Sequence, residues 1–203
     1  MFMRAGYCAA ALSLTFACAS AQESHTPQTL AILYHFEQPY AGRALKETER
    51  ELKTLIGDET VKLEWYDRGE FEGKSTFSTI VVLNFHGVCD PQSNSLFKGP
   101  MSSWLARMHV IDGVVQPFGD VNCDLIRALM TNGPHNAALT DQEFGHGLAR
   151  VLAHELYHFL TQSTEHASRG LEKPSFSRRD LVSESLRPDR QQLGRLSKSM
   201  LLQ

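Results

Sequence analysis

ARVLAHELYHFLTQSTEH, residues 149–166, decides how the rest of the chain is read. It contains H-E-x-x-H as His154, Glu155 and His158, and a further histidine, His166, eight residues on. On an α-helix, turning about 100° per residue, His154 and His158 fall about 40° apart and one turn along the axis, so both rings reach a common point. Neutral imidazole nitrogens about 2.0–2.1 Å from an ion are what Zn²⁺ takes, and a catalytic site leaves one position to water. Glu155 projects about 100° round from His154, beside such an ion rather than onto it, where a carboxylate can accept a proton from that water. Histidines at this spacing also occur by chance on ordinary helices, so the surrounding sequence has to carry part of the argument.

The surroundings favour a buried helix. Ala149, Val151, Leu152, Ala153, Leu156, Phe159 and Leu160 are apolar, and no Gly or Pro interrupts 148–162. Thr140-Asp141-Gln142-Glu143 has the spacing of a capping box, with Thr140 as N-cap. Gly145 and Gly147 weaken the first turns, which predicts a firm helix only from about Leu148.

With 203 residues, 42% hydrophobic and 21% charged, the chain is long enough for one domain with a real core. Residues 1–21 read as a secretory signal. Arg4 is the only charge before Glu23, Tyr7 to Ala17 is a short apolar run, and Ala19-Ser20-Ala21 offers a small-x-small cleavage site near Ala21. The expectation is therefore a secreted or periplasmic protein with no stable membrane span in the mature chain. Lipid anchoring through Cys18 is the less favoured alternative. Removal of the signal leaves Cys89 and Cys123, which in an oxidising compartment form one disulfide. Residues 22–168 carry 11 Lys/Arg against 19 Asp/Glu, and 169–203 carry 8 against 4. An acidic body argues against nucleic acid as partner, and the basic tail reads as a partly helical segment packing on the domain.

The elements follow in order. Thr29–Phe36 is a near-continuous apolar strand, residues 44–56 an amphipathic helix, and Val61–Tyr66 an alternating strand. Thr76–Phe85 is a β-branched, apolar strand. Trp104–Val110 is another, turned at Asp112-Gly113 into a return strand that Pro117 and Gly119 break. Cys123–Met130 forms a short helix before the histidine helix. A crossover through the 44–56 helix makes its two flanking strands a parallel pair at the sheet centre.

This order, with His154, Glu155 and His158, resembles the zincin metallopeptidases, especially the metzincin-like branch, over roughly residues 29–166. The resemblance implies an α+β fold: a twisted mixed sheet of about five strands packed on a central H-E-x-x-H helix, with a helical C-terminal tail. It also implies an edge strand, Trp104–Val110 or its hairpin partner, that receives extended peptide. It makes His154 and His158 zinc ligands and Glu155 the general base and acid of peptide-bond hydrolysis. Metzincins continue with Gly and His at positions held here by Thr161 and Thr164, so His166 is the third ligand through a longer turn, with Glu165 and Glu184 as competitors. No methionine follows until Met200. Tyr157 either flanks the cleft and supports an oxyanion or packs behind the ligands. His35, His86 and His109 read as structural. The domain layout is 1–21 signal, 22–168 zincin-like catalytic domain and 169–203 tail, acting as a monomer on peptide or protein substrates. The alternative is a non-catalytic, zinc-stabilised binding protein of the same fold.

Overall fold

In the computed structural model the described residues are 28–57, 61–73, 76–94, 104–131, 138–183, 186, 188 and 194–196. The signal segment, Glu184 and most of the 188–201 helical run lie outside them; within that run residues 194–196 are helical. The chain runs β1 (Gln28–Phe36), α1 (Gly42–Ile56), β2 (Val61–Asp67), β3 (Thr79–His86), β4 (Ala106–Ile111), β5 (Val114–Asn122), α2 (Cys123–Thr131), α3 (Asp141–Thr161) and α4 (Arg178–Val182). Five strands make one mixed sheet in the order β2-β1-β3-β5-β4. All pair in parallel except the edge strand β4, which is antiparallel to β5. Among the described residues no helix is long and apolar enough to cross a membrane.

Side-chain alternation sends Val81, Leu83 and Phe85 of β3 into the core, where Ala44, Leu52 and Leu55 of α1 and most of α3 meet them. α1 forms because its buried positions, Ala44, Leu45, Thr48, Leu52, Leu55 and Ile56, recur at helical spacing among charged residues. The β1–α1–β2 crossover does give a parallel pair, but β2 is an edge and β3 holds the centre.

Two local expectations are corrected. α3 begins at Asp141, not near Leu148: Thr140 Oγ1 accepts the Glu143 N–H at 3.1 Å, and the Glu143 carboxylate accepts the Thr140 N–H at 2.9 Å. The glycines in its first turns are there for close packing. A Cβ on Gly145 would sit 2.7 Å from the Ala44 carbonyl of α1, and one on Gly147 would sit 2.4 Å from Met130 Sδ. Contact with α1 and α2 offsets the low helix propensity of glycine. β5 likewise continues through Pro117 and Gly119. The β4 ladder changes register between Met108 and Val110, and the β3 ladder starts only at Phe118. Pro117 therefore stands where neither neighbour needs its missing N–H.

Cys89, in the loop after β3, is bonded to Cys123 at the start of α2. The C-terminal segment returns beneath α3. Leu171, Leu181, Leu186 and Leu196 are buried, and the fully buried Arg150 of α3 donates from Nη1 to the Leu181 carbonyl.

Candidate metal centre

α3 is buried almost all round, so the His154 and His158 rings leave it inside the protein, both largely covered. Each ring is held by a backbone carbonyl. His154 Nδ1–H donates to Leu171 O at 2.7 Å, and His158 Nδ1–H donates to Ser163 O at 2.6 Å. A carbonyl only accepts, so both protons sit on Nδ1 and both Nε2 atoms of the neutral rings carry lone pairs. Those two Nε2 atoms face each other at 3.0 Å. Neither has a hydrogen for the other, and two lone pairs at that distance repel unless a cation lies between. Tetrahedral zinc with bonds of about 2.0–2.1 Å would set them about 3.3–3.4 Å apart.

The third ring, His166, is exposed and lies with its centroid 5.3 Å from His154 and 4.8 Å from His158. One nitrogen from each of the three rings falls within 4.8 Å of the others, so the cluster could hold a metal ion. Glu165 is exposed and outside this group. The turn that brings His166 back does without glycine. Gln162 takes the left-handed conformation (φ 50°), and its backbone N–H caps α3 on His158 O and Phe159 O. That conformation disfavours a residue with a Cβ. The side chain compensates: the Gln162 amide donates to Val115 O at 3.0 Å and accepts from Val115 N–H at 3.1 Å, tying the turn to β5.

Burial sets the electrostatics. It pushes His154 down to about 4, against the Leu171 carbonyl and with the neighbouring His158 and His166 assisting, and it lowers His158 as well. Neutral imidazole, the ligand form, is therefore the resting state. Burial also pushes the Glu155 carboxyl up to about 7, opposed by the Met108 backbone N–H, which donates to Glu155 Oε2 at 2.9 Å. A carboxylate poised there exchanges protons readily near neutral pH.

The buried histidine has a measurable consequence. Below about pH 6.5 the unfolded chain takes up a proton at residue 154 that the folded, metal-free protein does not accept until about pH 4. Stability therefore falls as pH drops through that window, by an amount on the order of 2–3 kcal/mol from this group. Glu155, with its raised pKa, acts in the opposite sense. The difference between metal-free wild type and His154→Gln is the clean readout: in urea unfolding at pH 7 and pH 4.5, the variant is expected to lose less stability on acidification. Equal losses would contradict the assignment.

Two depressions meet at the cluster. One, about 400 Å³, is walled by Trp104, Leu105, Leu125, Leu129, Pro174 and Phe176 on one side of His154, Glu155 and His166. The other, about 200 Å³, lies on the far side against Met108, Val110, Val115 and Thr164. The two share His154, Glu155 and His166, and β4 lines both, through Ala106 in the larger and Arg107, Met108 and Val110 in the smaller, so they form a groove along that strand. Tyr157 lines neither. It is buried, its hydroxyl accepts from Arg195 Nη1 at 3.3 Å, and burial with the adjacent Glu172 raises it to about 12. In this arrangement it packs beside His158, the ring centroids 6.4 Å apart.

Sequence reasoning missed the backbone partners, Met108 N–H and the Leu171 and Ser163 carbonyls, for which no side-chain signal exists. It also missed the role of Asp120, 8% exposed, which accepts from His86 Nε2 at 3.0 Å, His109 Nε2 at 2.9 Å and Arg107 Nη2 at 3.2 Å. Burial alone would raise Asp120, but these donors outweigh it and hold the carboxyl below its usual range.

No protein-family model matches the chain, and no curated protein does. Among solved structures it is similar to archaemetzincin from Methanopyrus kandleri, with 12% identity and a TM-score of 0.48 over 86% of this chain and 96% of that one. That is a distant likeness of overall shape, and the functional reading rests on the geometry of the histidine cluster.

Proposed function

We propose that the protein is a zinc-dependent metallopeptidase of zincin type, hydrolysing peptide bonds. The observation that carries this reading is the pair of Nε2 lone pairs facing each other at 3.0 Å, with each Nδ1 committed to a carbonyl. His154, His158 and His166 would hold the ion. Zinc bound there supplies Lewis-acid polarisation of a carbonyl and lowers the pKa of water toward about 7.

The remaining work falls to the chain's own groups. Glu155 takes the proton of the attacking water and returns it to the leaving amine, and the Met108 N–H fixes the orientation of its carboxylate. Among the described residues β4 pairs with β5 on one side only, so its other edge offers backbone groups to an extended peptide, and the apolar wall of the larger depression accepts a side chain. The Leu171 carbonyl belongs to the 169–203 tail, which supports reading that tail as packed on the 22–168 catalytic unit. The Cys89–Cys123 bond supports an exported, oxidising location.

Zinc-loaded protein incubated with a diverse peptide mixture, its products read by mass spectrometry, is expected to generate new termini that vanish on chelation. No new termini at any pH between 6 and 9 would overturn the enzymatic reading, a range chosen about the general base's neutral pKa.

A further inference from the structure

Strand β4 reaches Glu155 through one backbone group, the Met108 N–H. The regular register of the ladder breaks at that point. Ala106, Arg107 and Met108 pair with Val121, Asp120 and Gly119, and the register then shifts before Val110. A bulge in the pairing disrupts the ladder locally and increases the twist, so something else must fix the direction of this N–H.

The residues on either side of Met108 are both tied to one carboxylate. Asp120 Oδ2 accepts from Arg107 Nε at 3.3 Å, from Arg107 Nη2 at 3.2 Å and from His109 Nε2 at 2.9 Å. Asp120 Oδ1 is held by His86 Nε2 at 3.0 Å, and His86 Nδ1 meets Glu37 Oε1 at 2.7 Å. A chain of hydrogen-bonded side chains thus runs from the end of β1 across β3 and β5 and clasps β4 on both sides of the residue that touches Glu155. Arg107 also lies over the Trp104 ring, 4.5 Å from its centroid, so the clasp reaches the wall of the larger depression.

We propose that Asp120 is a positioning residue that acts through β4: by holding Arg107 and His109 it keeps the Met108 N–H aimed at Glu155. Its effect on turnover rests on the metallopeptidase reading; its effect on the Met108 amide does not. Removing the carboxylate frees both flanking side chains, lets the strand rotate at the register shift, and leaves Glu155 without its orienting donor.

The test follows the backbone amide of Met108 by NMR in zinc-treated wild type, Asp120→Ala, His109→Ala and His109→Gln, with zinc content measured in each. In Asp120→Ala the Met108 amide proton is expected to shift upfield and exchange with solvent about tenfold faster or more, with zinc content unchanged. On a peptide that wild type cleaves, kcat should fall about tenfold with KM within about threefold, the range for groups acting through another residue. His109→Ala should show part of both effects, and His109→Gln, whose amide can still donate to Asp120, should recover most of them. Should Asp120→Ala fail to fold, the two His109 variants carry the same comparison. An unmoved Met108 amide in folded Asp120→Ala, or equal behaviour of His109→Ala and His109→Gln, overturns the proposal. Absence of peptide cleavage by wild type would sink the proposed activity, while the amide shifts still decide the role of Asp120.

Discussion

Glu155→Gln is expected to keep its zinc and lose turnover by about 10³-fold, in the middle of the range for a general acid–base group. Zinc is retained because Glu155 stands outside the three-histidine cluster that could hold the ion. Glutamine is close in shape and can still accept the Met108 N–H through its amide oxygen, so the groove survives. What it cannot do is take up and release the proton. The experiment pairs elemental analysis with kcat on a cleaved peptide. Unchanged turnover would remove Glu155 from the chemistry, and loss of zinc with turnover would make it a ligand.

Chelation should cost the protein much of its margin of stability. A ligand at about a thousand times its Kd stabilises the folded state by about 4 kcal/mol, and in a domain of this size each kcal/mol is worth about 2–4 °C. Removing zinc is thus expected to lower Tm by about 8–16 °C, and His158→Ala should sit at the lower value with or without chelator. Such a shift would arise because an ion held there would relieve the facing lone pairs of His154 and His158 and fasten the 162–166 turn to α3. The same shift in Glu155→Gln is expected, since that residue stands outside the three-histidine cluster. This pair of measurements separates the enzyme from a zinc-stabilised binding protein. Both would show the shift, but only the enzyme would show the loss of turnover in Glu155→Gln. A Tm indifferent to chelator would contradict both.

Side-chain pattern made the frame legible. Periodicity of two and of 3.6 located the strands and helices, and the i, i+4 placement of His154 and His158 followed from helix geometry. The turn through Gln162 to His166 was foreseeable as longer than usual from Thr161 and Thr164. How it closes was not, because a Gln162 amide pairing with the Val115 backbone is a tertiary accident of two distant segments. Gly145 and Gly147 misled for the same reason: propensity marks them as weak helix, whereas the α1 backbone comes too close to Gly145 for a Cβ and the Met130 side chain fills the space at Gly147. Pro117 misled because a ladder break cannot be seen in one strand alone. Tyr157 was left with two roles because an angle on a helical wheel does not say which side faces solvent. The Leu171 carbonyl and Met108 N–H, common to every residue type, leave no trace in a sequence at all.

The central claim is that His154, His158 and His166 together hold one zinc ion, and elemental analysis of purified protein tests it most directly. After exposure to zinc and buffer exchange, wild type is expected to carry about one zinc per chain, and His158→Ala and His166→Ala far less. A wild-type chain that keeps no zinc, or a His166→Ala chain that keeps it in full, would contradict the three-histidine site.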